Sequence, residues 1–509
     1  AALWLLLAAH SQAYAQQSET HAKVEARLSA IMAEINKKWR DHEQKLVTKV
    51  EVLPVDLKPL KPPRGFKVPP SARNVVIRDG IYYRDGRPTF LFGVEGRMYD
   101  GPWINRILGI DLFTQHAGMV WWRSAMQVEE SPGPRGGVKL TVSFRPYPWA
   151  GILVREALRG GTLWACDYYL VKRNDSNLFF KTYHFDPPFF TGVKDYERGT
   201  GHFLDLHLEN PDAMAYYTSM YRLVARLLKP YPIFHHELVN EVRYNSYWVD
   251  NIVRFQEQMR RRYGAIEAAN EAWGRQYEDF SDVIPPLTMD PGTFAWTGPE
   301  GERFPKNIWA DWSGFMAEHA GEIFRQLRRE GEKAARGSYF TIQSPYVWGD
   351  KEMLPYVKAQ AEDAYGHEAF FHPHPQEAPG EESWPVVWAL MDQQLANDLA
   401  RNAAPDKPII NLEAPFFVRP RYAGSLYGVQ DYKGPAGPNA VRTFFWHQLV
   451  HGVSGSVISY FYTNERSDGG ESVWDPKLMT RAAVREMARV RAEIRDLAPI
   501  VVPRPRIRG

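Results

Sequence analysis

The chain has 509 residues, with 62 Lys and Arg against 60 Asp and Glu, and 14% of its residues are aromatic. This near balance of charge excludes the strongly basic surface of nucleic-acid-binding and anionic-membrane-binding proteins, so a neutral partner is expected. The single cysteine, Cys166, excludes a disulfide framework and a thiolate metal cluster. Two histidines in "HPHP" (372–375) are a weak metal signal, and we expect neither a metal nor another cofactor.

The first residues have the composition of an export signal. Residues 1–16 contain an apolar run followed by "AYA", which has the small-x-small shape of a signal-peptidase site. The run is shorter than the roughly 20 apolar residues that a membrane-spanning helix needs. We therefore expect a signal peptide at 1–16, truncated at its start, and an exported protein without a membrane partner.

Residues 17–71 are expected to precede the catalytic domain. Five apolar residues at helical spacing predict an amphipathic helix over 20–48, namely Val24, Leu28, Ile31, Met32 and Ile35. The Pro- and Lys-rich stretch 54–70 predicts an extended linker.

Residues 72–500 show the pattern of an α/β domain. Two Asp-Gly pairs within 75–94 predict β-hairpins. Beyond them, apolar runs alternate with helical segments: the strands are predicted at 90–94, 118–122, 162–166, 233–239, 338–344, 363–365, 408–412 and 456–461, and the main helices at 211–228, 248–263, 310–336 and 479–496. About eight such units favour a (β/α)₈ TIM barrel with an N-terminal helix and a small β-hairpin extension. Residues 501–509 are a tail to which a further domain could be attached.

Position along the barrel strands separates the candidate carboxylates. Catalytic groups of such barrels lie at the carboxyl ends of the strands. Glu241 follows the apolar run "IFHHELV" and is expected there, whereas Glu237 lies roughly 13 Å deeper and is expected to be structural. Two further Asn-Glu pairs compete: Glu271 is predicted on a helix and exposed, and Glu465 on a Gly-rich loop that could bind substrate.

A glycosidase needs a second carboxylate on another strand end. Glu413 ends the apolar run "IINL", and the Pro415 that follows stops a strand because it lacks an N–H. By count, Glu241 ends the fourth strand and Glu413 the seventh. A retaining mechanism requires the two carboxyl groups to lie about 5 to 5.5 Å apart.

These features resemble glycoside hydrolases of clan A, and within the clan the family 42 β-galactosidases and their relatives. The resemblance is carried by "HHELVNEV" (235–242), "FQEQMRRRYGAIEAANEAWGRQYEDFSDVIPP" (255–286) and "ADWSGFMAEHAGEIFRQLRR" (310–329). It implies that Glu241 is the acid/base, that Glu413 is the nucleophile, and that Asn240 donates a hydrogen bond to the sugar 2-hydroxyl. Two features depart from the family. Region 122–200 has no counterpart in it, and Cys166 stands alone, whereas some family 42 enzymes bind zinc through a cysteine cluster.

Other residues near predicted strand ends are candidates to line the sugar subsite. They are Arg97 and Tyr99 after the first strand, Tyr365 and His367 after the sixth, and Trp474 after the eighth; Trp296, on a Gly- and Pro-rich loop, is a candidate stacking platform. The alternative for each ring is ordinary core or rim packing. His235 and His236 are expected to hold their strand rather than to transfer protons.

The sequence thus predicts a retaining β-glycoside hydrolase that acts on β-galactosides or related plant or algal glycans. One alternative is an inactive barrel that binds polysaccharide, which would keep the aromatic platforms without both carboxylates. Others are an endo-acting glycanase of the same clan, and an inverting or non-glycosidic hydrolase that pairs one Glu with His372 or His374.

Overall fold

The structure, a computed structural model, describes the chain in segments. They are residues 19, 22–24, 26–27, 45–61, 75–96, 111–114, 125–146, 163–167, 183–185, 208–229, 233–239, 249–285, 288–290, 295–297, 306–343, 354–369, 384–414, 438–462 and 481–502. The strands are β1 (Lys45–Val52), β2 (Val75–Arg78), β3 (Ile81–Arg84), β4 (Arg87–Pro88), β5 (Leu91–Gly96), β6 (Leu112–Thr114), β7 (Met126–Pro132), β8 (Val138–Phe144), β9 (Leu163–Asp167), β10 (Tyr183–Phe185), β11 (Ile233–Glu237), β12 (Thr288–Asp290), β13 (Ala295–Thr297), β14 (Tyr339–Thr341), β15 (Tyr365–His367), β16 (Ile409–Ala414) and β17 (Val453–Tyr462). The α-helices are α1 (Pro211–Leu228), α2 (Val249–Tyr263), α3 (Ile266–Trp273), α4 (Lys306–Ala334), α5 (Leu354–Ala359), α6 (Trp384–Ala403), α7 (Pro438–Val450) and α8 (Arg481–Val501).

Eight strands form one main sheet. Its order is β14-β11-β9-β6-β5-β17-β16-β15, and every recorded pair in it is parallel. Main-sheet strands that follow one another along the chain are neighbours, as in a chain of β-α units, except β14 and β15, which stand at the two ends of this order. The prediction of an α/β fold is confirmed.

Contacts inside the sheet require it to curl. One buried cluster joins Phe234 of β11 to Ile410 and Leu412 of β16, with Leu91, Leu112 and Val457 between them. Five strand spacings separate β11 from β16 in the sheet order, which is roughly 24 Å in a flat sheet and too far for side-chain contact. The two end strands also approach each other, because Asp363 N, just before β15, donates to Phe340 O of β14 at 2.8 Å.

The helices agree with the predicted periodicity. Helix α1 has the predicted bounds, and α2, α4 and α8 lie within a few residues of theirs. Asn210 caps α1, because its side chain accepts from the N–H groups of Asp212 and Ala213. Among the described helices, none is both long and apolar enough to span a membrane.

Two strand predictions need correction. The second strand of the sheet is β6, whereas the predicted 118–122 lies outside the described residues. The sixth strand, β15, begins at Tyr365, where the predicted 363–365 was to end. In both cases the paired strand is only three residues long, too short for an apolar run to fix its register.

The predicted hairpins are confirmed, and they close one end of the sheet. Strands β2, β3 and β4 are antiparallel, and both connecting Asp-Gly pairs have positive φ, as two-residue type I′ turns require. Tyr82 of β3 is fully buried in the cluster formed by the main sheet. Ile77 N donates to Tyr339 Oη of β14 at 3.1 Å.

Part of the N-terminal segment forms a strand instead of the predicted helix. Residues 45–48 begin β1, which pairs with β8 and β10 in a second sheet, of order β10-β1-β8-β7. Four β-branched residues in "KLVTKVEV" favour the strand, and Val47 and Val50 are both buried, on either side of a register shift in the pairing with β8. The described part of the predicted linker is packed as well: Leu60 N donates to Leu227 O, and Arg226 Nε donates to Leu57 O.

Candidate active site

The carboxyl ends of the parallel strands define the candidate site. In chain order the main-sheet strands are β5, β6, β9, β11, β14, β15, β16 and β17, so β11 is the fourth and β16 the seventh. Parallel strands bring their carboxyl ends to one edge of the sheet, where active sites of such folds lie. The described acidic residues at these ends are Glu95, Asp167, Glu237, Glu368 and Glu413.

Glu413 is the last residue but one of the seventh strand, β16. Its neighbours in β16 pair with β17, but Asn411 is opposite Ser456 and Ala414 is opposite Ile458. Three residues of β16 thus span two of β17, which is a β-bulge. Ile410 and Leu412 face the inner cluster, so strict alternation would put position 413 on the opposite face together with Asn411. The bulge interrupts the regular alternation of β16 between Asn411 and Ala414, and such bulges are frequent beside active sites.

The fourth strand leads directly to the other predicted catalytic residue. Strand β11 ends at Glu237, and the described chain continues to Val239. Asn240 and Glu241 follow at once and lie outside the described residues, so their roles stay predictions. Glu237 is the last residue of β11 and is 2% exposed, so the strand ends two residues before the predicted 233–239.

His235 and His236 occupy the structural role predicted for them. Both are at most 1% exposed; Tyr82 Oη lies 3.3 Å from His235 Nε2, and Ser338 Oγ lies 3.0 Å from His236 Nε2. Burial lowers the pKa of each imidazole to about 3, with the charge of His236 adding to the effect on His235. Both rings are therefore neutral near pH 7, and neither faces solvent.

Tyr365 and His367, predicted in the subsite, are buried in the sixth strand. They are 3% and 4% exposed, and their rings are 6.2 Å apart. Lys358 Nζ lies 3.7 Å from the centre of the Tyr365 ring, and burial lowers the pKa of His367 to about 3. Both rings are packed among described residues of the core, and their place in the sugar subsite stays a prediction.

The remaining site predictions are placed only in part. Trp296 lies in β13, opposite Met289 in a two-stranded antiparallel ribbon outside the main sheet. The other candidates lie outside the described residues, namely Arg97, Tyr99, His372, His374, Glu465 and Trp474. Glu271 is exposed on α3, as predicted for the Asn-Glu pair that was set aside.

The segments that resemble family 42 pack around one buried carboxylate, that of Asp311. Trp273, fully buried, donates from Nε1 to Asp311 Oδ2 at 2.9 Å, and Tyr263 Oη donates to the same oxygen at 2.7 Å. Arg262 pairs with Asp311 Oδ1. Residues from "YGAIEAANEAWG" and "ADW" thus meet at one buried carboxylate that ties α2 and α3 to α4. These motifs identify the fold and contribute no described group to the strand ends.

Two other polar groupings fall outside the sequence predictions. A cavity of about 510 Å³ is lined by residues just before α1 and on α2 and α4, among them Glu209, Arg254, His319 and Glu322. A buried Lys358–Glu362 ion pair stands between β14 and β15. The i,i+4 spacing of Lys and Glu was visible in the sequence, but such pairs are usually on a solvated helix face. Among the described residues, no group of His, Cys, Asp and Glu has the arrangement of a metal site.

Comparison with known proteins gives a family match. Residues 196–499 match the family model Glyco_hydro_42, described as Beta-galactosidase. Comparison with curated protein sequences gave no match.

Solved structures with a similar fold include three glycosidases. The β-galactosidase from Bacillus circulans sp. alkalophilus is 14% identical, with a TM-score of 0.53 over 82% of this chain and 58% of that chain. The β-galactosidase from the haloarchaeon Halorubrum lacusprofundi is 14% identical, with a TM-score of 0.54 over 79% and 58%. The exo-carrageenase from Bacteroides ovatus is 16% identical, with a TM-score of 0.51 over 87% and 56%. The chain thus spans less than two thirds of the length of these structures.

Proposed function

This chain belongs to glycoside hydrolase family 42, the family described as Beta-galactosidase, and on this premise we propose that it is a retaining β-glycoside hydrolase acting on β-galactosides or related galactose-containing glycans. The match covers 196–499, which includes the fourth and seventh strands of the main sheet.

The proposal includes a closed (β/α)₈ barrel. Support comes from the strand order, from the buried cluster that joins β11 to β16, and from the contact between Asp363 N and Phe340 O. In a closed barrel of parallel strands the carboxyl ends of all strands surround one mouth, so the ends of the fourth and seventh strands would lie there together.

The observation that carries the proposal is the position of Glu413. It stands at the carboxyl end of the seventh strand, at a β-bulge, within the residues that match the family. The fourth strand ends at Glu237, and Asn240 and Glu241 follow three and four residues later. Two carboxylates at the ends of separate strands are what glycoside cleavage requires.

In the proposed reaction the carboxylate of Glu413 attacks the anomeric carbon while the carboxyl of Glu241 protonates the departing glycosidic oxygen. A covalent glycosyl–Glu413 ester forms, and the aglycone leaves. Glu241, now a carboxylate, takes a proton from water, whose oxygen attacks the anomeric carbon and releases Glu413 and the sugar with retained configuration. Asn240 is proposed to donate a hydrogen bond to the sugar 2-hydroxyl.

The decisive experiment is Glu413→Ala assayed on an aryl β-galactoside with and without azide. Loss of the nucleophile abolishes hydrolysis, and azide then fills the space of the carboxyl group and yields a glycosyl azide of inverted configuration. Glu241→Ala should lower kcat by on the order of 10³-fold, and azide should there give a product of retained configuration.

Glu271→Ala is the matched control, because Glu271 also follows an Asn but is exposed on α3. It should keep wild-type turnover. Full activity of Glu413→Ala without azide would contradict the assignment of the nucleophile. A wild-type protein that binds galactans without hydrolysing them would instead favour the polysaccharide-binding alternative.

Two further proposals concern substrate and location. The similarity to both β-galactosidases and an exo-carrageenase supports testing β-galactosides and carrageenan oligosaccharides side by side, with reducing-end release as the readout. The apolar residues 1–16 support export, which fusion of this segment to a reporter enzyme and assay of the culture medium would test.

A further inference from the structure

The fifth strand of the main sheet, β14, has one edge with which none of the described strands forms a ladder. On one side, β14 pairs with β11. On the other side its backbone groups at Phe340 and Ile342 face β15, and a ladder would satisfy them with main-chain partners. Instead, Phe340 N donates to Asp363 Oδ2 at 2.9 Å, and Ile342 N donates to Glu362 Oε1 at 2.6 Å.

The two carbonyl acceptors on this edge are satisfied by one main-chain donor and one side-chain donor. Phe340 O accepts from Asp363 N at 2.8 Å, and Ile342 O accepts from Lys358 Nζ at 2.9 Å. Across the gap, Gly366 of β15 donates its N–H to Glu362 Oε1 at 3.0 Å, and its carbonyl accepts from Lys358 Nζ. Apart from the bond from Asp363 N to Phe340 O, the side chains of Lys358, Glu362 and Asp363 therefore take the place of main-chain bonds between β14 and β15.

The space around this pair is closed. Lys358 and Glu362 are both 0% exposed, and their charged groups are 3.2 Å apart. A Cβ on Gly366 would overlap Thr341 Oγ1 and lie 2.6 Å from Leu412 Cδ1, so there is no room for a larger side chain at this position between β14 and β16. Buried charges are costly unless paired and hydrogen-bonded, and these two have five bonds to backbone and hydroxyl groups. The bonds to Glu362 are all on Oε1, and its Oε2 has Lys358 Nζ at 3.2 Å as its ion-pair partner.

The pair also stands next to the interior carboxylates. Burial lowers the pKa of the Lys358 ammonium, while the carboxylates of Glu362, Glu368 and Glu237 oppose this. Glu237 and Glu368 lie at the ends of the fourth and sixth strands, each 2% exposed or less. The sixth strand pairs in turn with β16, where His367 is opposite Asn411, two residues before Glu413.

We propose that Lys358 and Glu362 are positioning residues for the glycosidase reaction: they join the fifth strand to the sixth and thereby fix the sixth strand against the strand that carries Glu413. This rests on the proposed function. Neither residue touches substrate; both act through the backbone of Ile342 and Gly366.

The test uses Lys358→Met, Glu362→Gln and Glu362→Leu in the full chain. Gln keeps an oxygen that can accept from Ile342 N and Gly366 N, whereas Leu does not, so activity should fall in the order wild type, Gln, Leu. We expect kcat for an aryl β-galactoside to fall at least tenfold in Lys358→Met and Glu362→Leu, with KM changed less than threefold. A shift in catalytic geometry lowers kcat in this way, whereas partial unfolding lowers the active fraction and leaves the kcat of active-site-titrated enzyme unchanged.

Lys407→Met is the matched control. Lys407 also donates to backbone carbonyls, those of Ala359 and Glu362, but it does not bond to β14 or β15. It should keep a kcat within twofold of wild type after active-site titration.

Hydrogen exchange provides a readout that does not depend on activity. In Glu362→Leu the amides of Ile342 and Gly366 should exchange at least tenfold faster, while that of Leu238, which bonds to Thr341 O, should change less. Unchanged exchange at Ile342 and Gly366 together with unchanged kcat overturns the proposal. If Glu362→Leu does not fold, Glu362→Gln and Lys358→Met decide by the same measures. If the wild type hydrolyses no galactoside, the proposed function fails, and altered exchange without any activity would limit the pair to a structural role and overturn its role in catalysis.

Discussion

Asp311 offers a quantitative test of how the family-like segment contributes to stability. Its side chain is 4% exposed and accepts three hydrogen bonds, from Tyr263 and Trp273 on Oδ2 and from Arg262 on Oδ1. Asp311→Ala leaves the Trp273 N–H buried without its acceptor and Tyr263 Oη without its own.

The expected cost follows from these bonds. Each hydrogen bond to a charged acceptor contributes about 1.5 to 3 kcal/mol. Arg262 is 60% exposed and can be hydrated after the change, so its bond is discounted. The two remaining bonds predict that Asp311→Ala lowers the free energy of unfolding by about 3 to 6 kcal/mol.

Asp311→Asn should cost much less, because one amide oxygen can take the place of Oδ2 and accept from both Tyr263 and Trp273. The amide NH₂ then faces Arg262, which can turn to solvent, and we expect a loss of about 1 to 2 kcal/mol. Urea unfolding followed by far-UV circular dichroism measures both, with the exposed Glu271→Gln as control. A loss below about 1 kcal/mol in Asp311→Ala, or equal losses in Ala and Asn, would refute this reasoning.

Two other predictions use single residues. Burial lowers the pKa of His236 to about 3. Below pH 6.5 the imidazole is therefore protonated in the unfolded chain but not in the folded chain, so the free energy of unfolding decreases as the pH drops. By pH 5 this one residue should cost about 2 kcal/mol, and the urea midpoint of His236→Gln should fall less between pH 8 and 5; an equal fall would show that His236 is not responsible. Gly366→Ala should lower the unfolding free energy by about 1 to 3 kcal/mol through overlap with Thr341 and Leu412. Gly314→Ala, within α4 and with open space at its Cβ, should raise it by about 0.5 to 1 kcal/mol, and thermal melts that place both changes on the same side would contradict this contrast.

Much of the fold was predictable because it depends on local patterns. The alternation of apolar strands and amphipathic helices indicated an α/β chain, and the bounds of α1 followed from its periodicity and its Asn210 cap. The Asp-Gly pairs fixed the hairpins, since few other residues accept positive φ at both turn positions. The short strands β6 and β15 were placed poorly, because three residues carry too little pattern.

The sequence alone could predict which candidate carboxylates lie near the ends of strands. It placed Glu413 in the seventh strand and removed Glu271 by helical context, but it placed Glu237 below the end of the fourth strand, whereas β11 ends at Glu237. These inferences need only the order of elements along the chain and the rule that catalytic groups follow parallel strands.

Features that depend on contact between distant segments were decided by the tertiary structure alone. The bulge beside Glu413 is a relation between two strands, and the burial of Tyr365 depends on what packs over it. The role of Lys358 and Glu362 depends on a gap between β14 and β15 that no local pattern records, since the same i,i+4 pair on an open helix face would be solvated. Sequence determined which groups follow which strands; only the packed structure decided which backbone atoms lacked a neighbour and therefore which side chains had to supply one.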